Sequence, residues 1–166
     1  MTFLTDLDNT LFDSYKSMIE NRHLFFSEIN TRTGLFVNNN DNILKRDKTL
    51  NSKISTHPRY FIKECIEFIK QRTDTIHIIT MRKTIDEYEL KYVLNMFKIE
   101  NIIHNCTEYD KVNYVIKNKP KFYAEDDPDI LTQLYNRRAY KNTKLIAKRT
   151  KTNKDVVDYL KNIIVL

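Results

Sequence analysis

Apolar positions along the 166-residue chain follow two alternating rhythms. Short apolar runs bounded by polar residues recur at 2–6 (TFLTD), 76–80 (IHIIT), 101–104 (NIIH), 121–125 (KFYAE) and 144–147 (KLIA). Their length and composition predict buried strands. Between them the apolar residues step by three and four, which predicts helices. Residues 58–70 carry Phe61, Ile62, Cys65, Ile66 and Ile69, and residues 85–98 carry Leu90, Val93, Leu94 and Phe97. Residues 108–118, 128–137 and 153–164 continue the pattern with Val112 and Val115, Ile130 and Leu134, and Val157 and Leu160. Pro58 suits a first helical turn, and Thr84 and Glu87 are spaced as a capping box. Strands alternating with helices of this length predict an α/β fold, a parallel sheet covered on both faces. Such sheets bind ligands outside the carboxyl ends of their strands.

Residues 13–56 break the rhythm. A helix is expected near 15–30 (Met18, Ile19, Phe25, Phe26, Ile29), followed by an Asn- and Lys-rich stretch in which "LFVNNNDNIL" reads as a short hairpin or a loop. The segment is expected to be a small insertion over the sheet edge. The whole chain, 1–166, reads as a single domain, and no internal repeat is visible.

Composition removes several classes. Gly34 is the single glycine, which excludes a glycine-rich dinucleotide loop and a P-loop. Cys65 and Cys106 are the only cysteines and make neither a disulfide framework nor a zinc pair. No apolar run reaches membrane-spanning length, and no targeting segment opens the chain, so a soluble, cytoplasmic protein of a reducing compartment is expected. The net charge of +6 is uneven: residues 129–166 hold nine Lys/Arg and three Asp/Glu, which is the entire excess. This quarter is either a solvated face or an attraction for anionic substrates or nucleic acid.

The chemistry collects at the strand ends. The first strand ends at Asp6, with Asp8 and Thr10 following; the second ends at Thr80, with Arg82 following; the fourth ends in Glu125 and Asp126. Lys111 lies early in the helix preceding that fourth strand. Three or more carboxylates, a hydroxyl and an ammonium brought to one edge would repel without a cation, and a hard divalent ion such as Mg²⁺ resolves that. Taken singly, each residue has a plain reading too. Asp8 suits an Asx-turn, Thr80 a strand end, and Lys111 a surface lysine with Lys117 and Lys119 as rivals. Asp127, before Pro128, reads as a helix N-cap and Asp110 as a first-turn acid. His77 and His104 read as structural, and His57 as a loop residue.

Taken together, the stretches "DLDNT" (6–10), "IIT" (78–80), Lys111 and "FYAEDDPD" (122–129) resemble, in order, the four motifs of the haloacid dehalogenase (HAD) superfamily of phosphotransferases. The resemblance covers nearly the whole chain outside 13–56. It implies a Rossmann-like, doubly wound parallel sheet with a small cap insertion after the first strand. It also implies roles. Asp6 is the nucleophile forming an aspartyl-phosphate, and Asp8 the general acid and then base. Thr80 binds phosphoryl oxygens and Lys111 offsets charge. Thr10 and Arg82 contact substrate. Asp6, Glu125, Asp126 and the main-chain carbonyl of Asp8 hold Mg²⁺.

"TMR" (80–82) and "KFYAEDDPDIL" are most similar to 5′(3′)-deoxyribonucleotidases, and "TMR" also resembles polynucleotide 3′-phosphatases. The expected activity is therefore a Mg²⁺-dependent phosphomonoesterase acting on a nucleoside monophosphate. A polynucleotide 3′-phosphatase using the basic quarter is the alternative. A non-enzymatic nucleic-acid-binding module is a third reading, opposed by the completeness of the motif set.

Overall fold

The computed structural model describes residues 2–17, 19–20, 57–85 and 90–166. Among these, six strands form one parallel sheet in the order β3-β2-β1-β4-β5-β6. They are β1 (Phe3–Thr5), β2 (Thr75–Ile79), β3 (Lys98–Ile103), β4 (Phe122–Glu125), β5 (Lys144–Ala147) and β6 (Ile164–Val165). The helices are α1 (Lys63–Lys70), α2 (Lys91–Leu94), α3 (Glu108–Asn118), α4 (Pro128–Asn136) and α5 (Lys154–Tyr159). The strand order reverses between β1 and β4, where a doubly wound sheet opens its crevice.

Alternation along each strand sorts side chains to opposite faces. Phe3, Ile76, Ile78, Phe122 and Ala124 pack with Ile66 and Ile69 of α1 and Val93 of α2. Leu4, Ile79, Tyr123 and Leu145 pack with Val112 and Val115 of α3 and Ile130 and Leu134 of α4. Both faces are thus covered, which is why these strands read as apolar runs without a polar side. A smaller cluster of Leu131, Ala147, Val157 and Leu160 seats α5. Cys65 is buried, and its burial pushes the thiol up to about 12, in keeping with a core residue.

Three helical expectations are corrected. The helix expected over 58–70 is divided. A 3-10 turn at Pro58–Tyr60 is followed by extended Phe61 and Ile62 before α1. Phe61 bridges Phe12, which requires extended backbone there. The helix expected over 85–98 is reduced to α2 within the described residues, because the third strand begins at Lys98, three residues earlier than expected. Lys98 N donates to Asp74 O at 2.7 Å, so pairing with β2 claims those residues. The helix expected over 153–164 stops at Tyr159, because Ile164 and Val165 pair with the outer edge of β5. By contrast α3 spans the expected residues and carries a capping box between Thr107 and Asp110. Asp127 caps α4 as read from the sequence, its Oδ1 accepting from Asp129 N at 2.8 Å. Of the insertion expected at 13–56, residues 14–17 and 19–20 are helical; residue 18 and residues 21–56 lie outside the described residues, as does Glu87.

Candidate active site

Three strand ends, those of β1, β2 and β4, and helix α3 deliver the site. Asp6 follows β1 and stays in register, its N–H donating to Ala124 O at 2.9 Å. The chain then folds back within six residues. Leu11 N and Phe12 N both donate to Leu7 O, and Asn9 adopts φ 59°. Asparagine tolerates that left-handed conformation better than most residues, and its side-chain oxygen accepts Tyr15 N at 3.0 Å. This tight loop is how two carboxylates, Asp6 and Asp8, come to lie together at the end of one strand.

Lys111 is the centre of the buried charge. Its ammonium is 2% exposed and donates to Asp6 Oδ1 at 2.7 Å and Glu125 Oε2 at 3.1 Å. Burial disfavours its charged form, but Asp6 and Glu125 outweigh that and hold it protonated. Helix α3 puts it there: Val112 and Val115 face the core, and Lys111 beside them projects toward the strand ends. Among Lys111, Lys117 and Lys119, only Lys111 is buried at the carboxylates; the other two are exposed.

Glu125 is fully engaged. Oε2 accepts from Lys111 and from the Tyr123 hydroxyl, and Oε1 accepts from Asp126 N and Asp127 N, both at 3.2 Å. A carboxylate has about four lone-pair sites, and all four are used. Asp126 is less constrained. Oδ1 accepts from the Thr10 hydroxyl at 3.2 Å, and Oδ2 accepts no hydrogen bond among the described residues.

The acids outnumber the base. Burial pushes the Asp6 carboxyl well above the usual range; Lys111 draws it back, while Glu125, Asp126 and Asp8 push it further. Burial, then Glu125, raises Asp126 to about 7, against the opposing effects of Thr10 and Lys111. One ligand oxygen from each of Asp6, Glu125 and Asp126 lies within 4.8 Å of the others. Three carboxylates facing one ammonium leave two negative charges, so the donor set fits a hard divalent cation such as Mg²⁺.

Asp8 is held differently. Arg82 Nε donates to Asp8 Oδ2 at 2.7 Å, Arg82 Nη2 grips Oδ1, and the Ser14 hydroxyl donates to Oδ1 as well. Burial alone would raise this carboxyl, but Arg82 and Ser14 outweigh it and hold it below the usual range. Arg82, expected from the sequence to contact substrate, is therefore engaged with the second carboxylate here. Thr80 is buried on the same edge, and its hydroxyl accepts Arg82 N at 3.1 Å. Thr10, expected to face substrate, is instead fully buried, its hydroxyl 3.4 Å from Asp6 Oδ2 and 3.2 Å from Asp126 Oδ1. It ties the first strand end to the fourth.

The sequence reading missed Tyr123, Ser14 and Asn153. Tyr123 is fully buried in an apolar strand, and the only signal was a hydroxyl where a phenylalanine would pack. Asn153 is also fully buried; its Nδ2 donates to Asp126 O at 2.8 Å and Lys148 O at 2.7 Å, and its Oδ1 accepts Thr150 N at 2.8 Å. It pins the loop after β5 to the acidic strand end, and an Asn before a helix gives no hint of that. His57 accepts Arg59 N through Nδ1, and His77 pairs with Glu100 at 3.0 Å.

The basic C-terminal quarter does not form one face. Lys148 and Arg149 follow β5 on the carboxylate edge but pair with Glu64 (3.8 Å) and Asp158 (2.7 Å). Lys144 opens β5 at the opposite end, and Arg137 donates to Asn113 Oδ1 at 2.8 Å. No helix among the described residues is long and apolar enough to cross a membrane.

Comparison with known proteins finds no matching family model and no matching curated protein. Several solved structures match, among them two hydrolases. One, described as a haloacid dehalogenase-like hydrolase from Bacteroides fragilis, has a TM-score of 0.53 and 13% identity, covering 99% of this chain and 95% of that one. The other, a HAD-superfamily hydrolase of subfamily IA, variant 1, from Geobacter sulfurreducens, has a TM-score of 0.48 and 12% identity, covering 96% and 98%. The first likeness extends over the whole length and agrees with the six-stranded parallel architecture.

Proposed function

We propose that the chain is a hydrolase of the haloacid dehalogenase type, a Mg²⁺-dependent phosphomonoesterase working through an aspartyl-phosphate on Asp6. The observation that carries this reading is the Lys111 ammonium 2.7 Å from Asp6 at the point where the strand order reverses, with Asp126 beside it. The motif order and the fold likeness support it.

In this reading Asp6 attacks phosphorus and the leaving alkoxide takes a proton from Asp8; Asp8 then deprotonates the water that hydrolyses the acyl phosphate. Lys111 stays charged throughout and offsets the negative charge gathered on Asp6 and the phosphoryl group. Asp8 must exchange its Arg82 partner for a proton before it can act. Opening that pair releases the guanidinium toward the phosphoryl oxygens, beside Thr80. Asp6, Asp126 and the Asp8 carbonyl, backed by Glu125, would hold Mg²⁺, which supplies charge neutralisation at the phosphoryl oxygens. A second carboxylate that can carry a proton once released from Arg82 suits a poor alcohol leaving group, which favours phosphate esters over carbon–halogen bonds.

For substrate we propose a nucleoside monophosphate, on the resemblance of the Thr80–Arg82 and Phe122–Asp129 stretches to deoxyribonucleotidases. A second reading, a polynucleotide 3′ end, is favoured by the basic loop 148–151 that Asn153 pins beside Asp126. The test is a panel of nucleotides, 3′-phosphorylated oligonucleotides and p-nitrophenyl phosphate, each assayed with Mg²⁺ and again in EDTA. Release of phosphate that needs Mg²⁺ and disappears in Asp6→Asn supports the reaction, and the preferred substrate separates the two readings. No phosphate release from any member of the panel would overturn it.

A further inference from the structure

Part of the positive charge meets at the end of the sheet remote from Asp6. Phe122 opens β4, stacked on Phe3 of β1 (ring centroids 5.3 Å apart) and edge-on to Phe68 of α1 (6.3 Å). Three cations surround its ring: Lys121 Nζ at 5.6 Å, Lys144 Nζ at 5.8 Å and the Arg72 guanidinium carbon at 5.9 Å from its centre. Arg72 also lies 3.4 Å from the centre of the Phe68 ring and donates to Phe68 O at 2.7 Å. The three come from distant parts of the sequence, after α1, before β4 and at the start of β5. All are exposed, and among the described residues none pairs with a carboxylate. Asp74, the acid entering β2, takes a hydrogen bond from the neighbouring Thr75 hydroxyl.

No two of these charged centres lie more than about 12 Å apart, since all surround one ring. Like charges this close repel, and the ring faces hold them without neutralising them. Of the rings beneath, Phe122 is only 6% exposed and Phe68 is half-buried under Arg72. Among the described residues this surface therefore offers concentrated charge over largely covered rings rather than an apolar groove. A peptide helix needs such a groove. A nucleic-acid backbone does not, and presents a charge about every 3.4 Å along each strand.

We infer that Arg72, Lys121 and Lys144 form a docking surface for a nucleic-acid backbone, engaging two or three phosphates without reading bases. The surface occupies the ends of β4 and β5 opposite the carboxylates, so the inference is independent of the proposed reaction.

The test is fluorescence anisotropy with a labelled oligothymidylate of about 16 nucleotides lacking a terminal phosphate, in EDTA, between about 50 and 200 mM salt. Wild-type protein should bind with a log–log salt slope of about −2. Combined Arg72→Gln, Lys121→Gln and Lys144→Gln should weaken binding at least about tenfold at the low-salt end and flatten the slope. Combined Lys154→Gln and Lys161→Gln, exposed on and after α5, should leave binding unchanged. Should the first triple variant fold poorly by circular dichroism, the single variants, each removing about 0.7 of slope, carry the test. Absence of wild-type binding, binding by the first triple variant equal to wild type, or displacement by polyglutamate as readily as by unlabelled oligonucleotide would overturn the inference.

Discussion

Lys111 Nζ and Asp6 Oδ1 are 2.7 Å apart, a buried ion pair joining the helix before β4 to the end of β1. The same ammonium serves Glu125 at 3.1 Å. Removing it leaves three carboxylates clustered with no fixed cation. Breaking a buried pair from one side typically costs about 3–5 kcal/mol. Lys111→Met should lower unfolding free energy by about that amount in urea titrations in EDTA, and saturating Mg²⁺ should recover part of it. A variant as stable as wild type in EDTA would show that Lys111 does not carry the buried charge.

Asp6→Asn and Asp8→Asn should separate the two carboxylates. The Asp6 variant should lose turnover on every substrate while keeping its fold, because Lys111 retains Glu125 and an amide cannot form an acyl phosphate. The Asp8 variant should lose about 10²–10⁴-fold on poor leaving groups, and much less on p-nitrophenyl phosphate, whose leaving group needs little protonation. Equal losses on both kinds of substrate would argue against proton transfer by Asp8.

The raised Asp126 carboxyl has a consequence for stability. A folded value of about 7 against an ordinary value of 3.8 means that the folded state binds the extra proton between those limits. Stability from this group is then full below about pH 4 and lost as pH rises through 7. In EDTA, wild-type unfolding free energy should fall over this window relative to Asp126→Asn, and Mg²⁺ should flatten the difference by replacing the proton. Parallel pH profiles for the two proteins in EDTA would refute it.

Much of this architecture is legible in the chain because the strands are buried on both faces and the helices on one. The α3 boundaries follow from Thr107, Asp110 and the Val112–Val115 spacing, all local signals. The site carboxylates are legible because each lies at the end of an apolar run. What the sequence hides is non-local. Lys98 reads as the last residue of a helix and the strand as starting only at Asn101, until β2 claims 98–100 for an edge strand. Ile164 and Val165 become a strand only because β5 has an open edge. Arg82 is 74 residues from Asp8 and Thr10 is 116 from Asp126, so neither partnership leaves a spacing to read. The Arg72–Lys121–Lys144 cluster is likewise created by the sheet order.

Asn153 gives the last prediction. Its amide joins Asp126 O to Lys148 O while its carbonyl takes Thr150 N, and the side chain is fully buried. Asn153→Ala would strand two carbonyls and one amide, at about 1–3 kcal/mol for each group that water cannot reach. The strand end carrying Asp126 would lose its side-chain tether to the loop after β5. Lost support behind a metal ligand typically weakens binding about 10–100-fold. Calorimetric Mg²⁺ titration of Asn153→Ala, at a temperature where circular dichroism shows it folded, should reveal a weaker site with unchanged stoichiometry. Asn153→Ser, which can still donate to one carbonyl, should fall between Ala and wild type. If Mg²⁺ affinity is unchanged in the folded Ala variant, Asn153 serves the loop alone and Asp126 is positioned by β4 and Thr10.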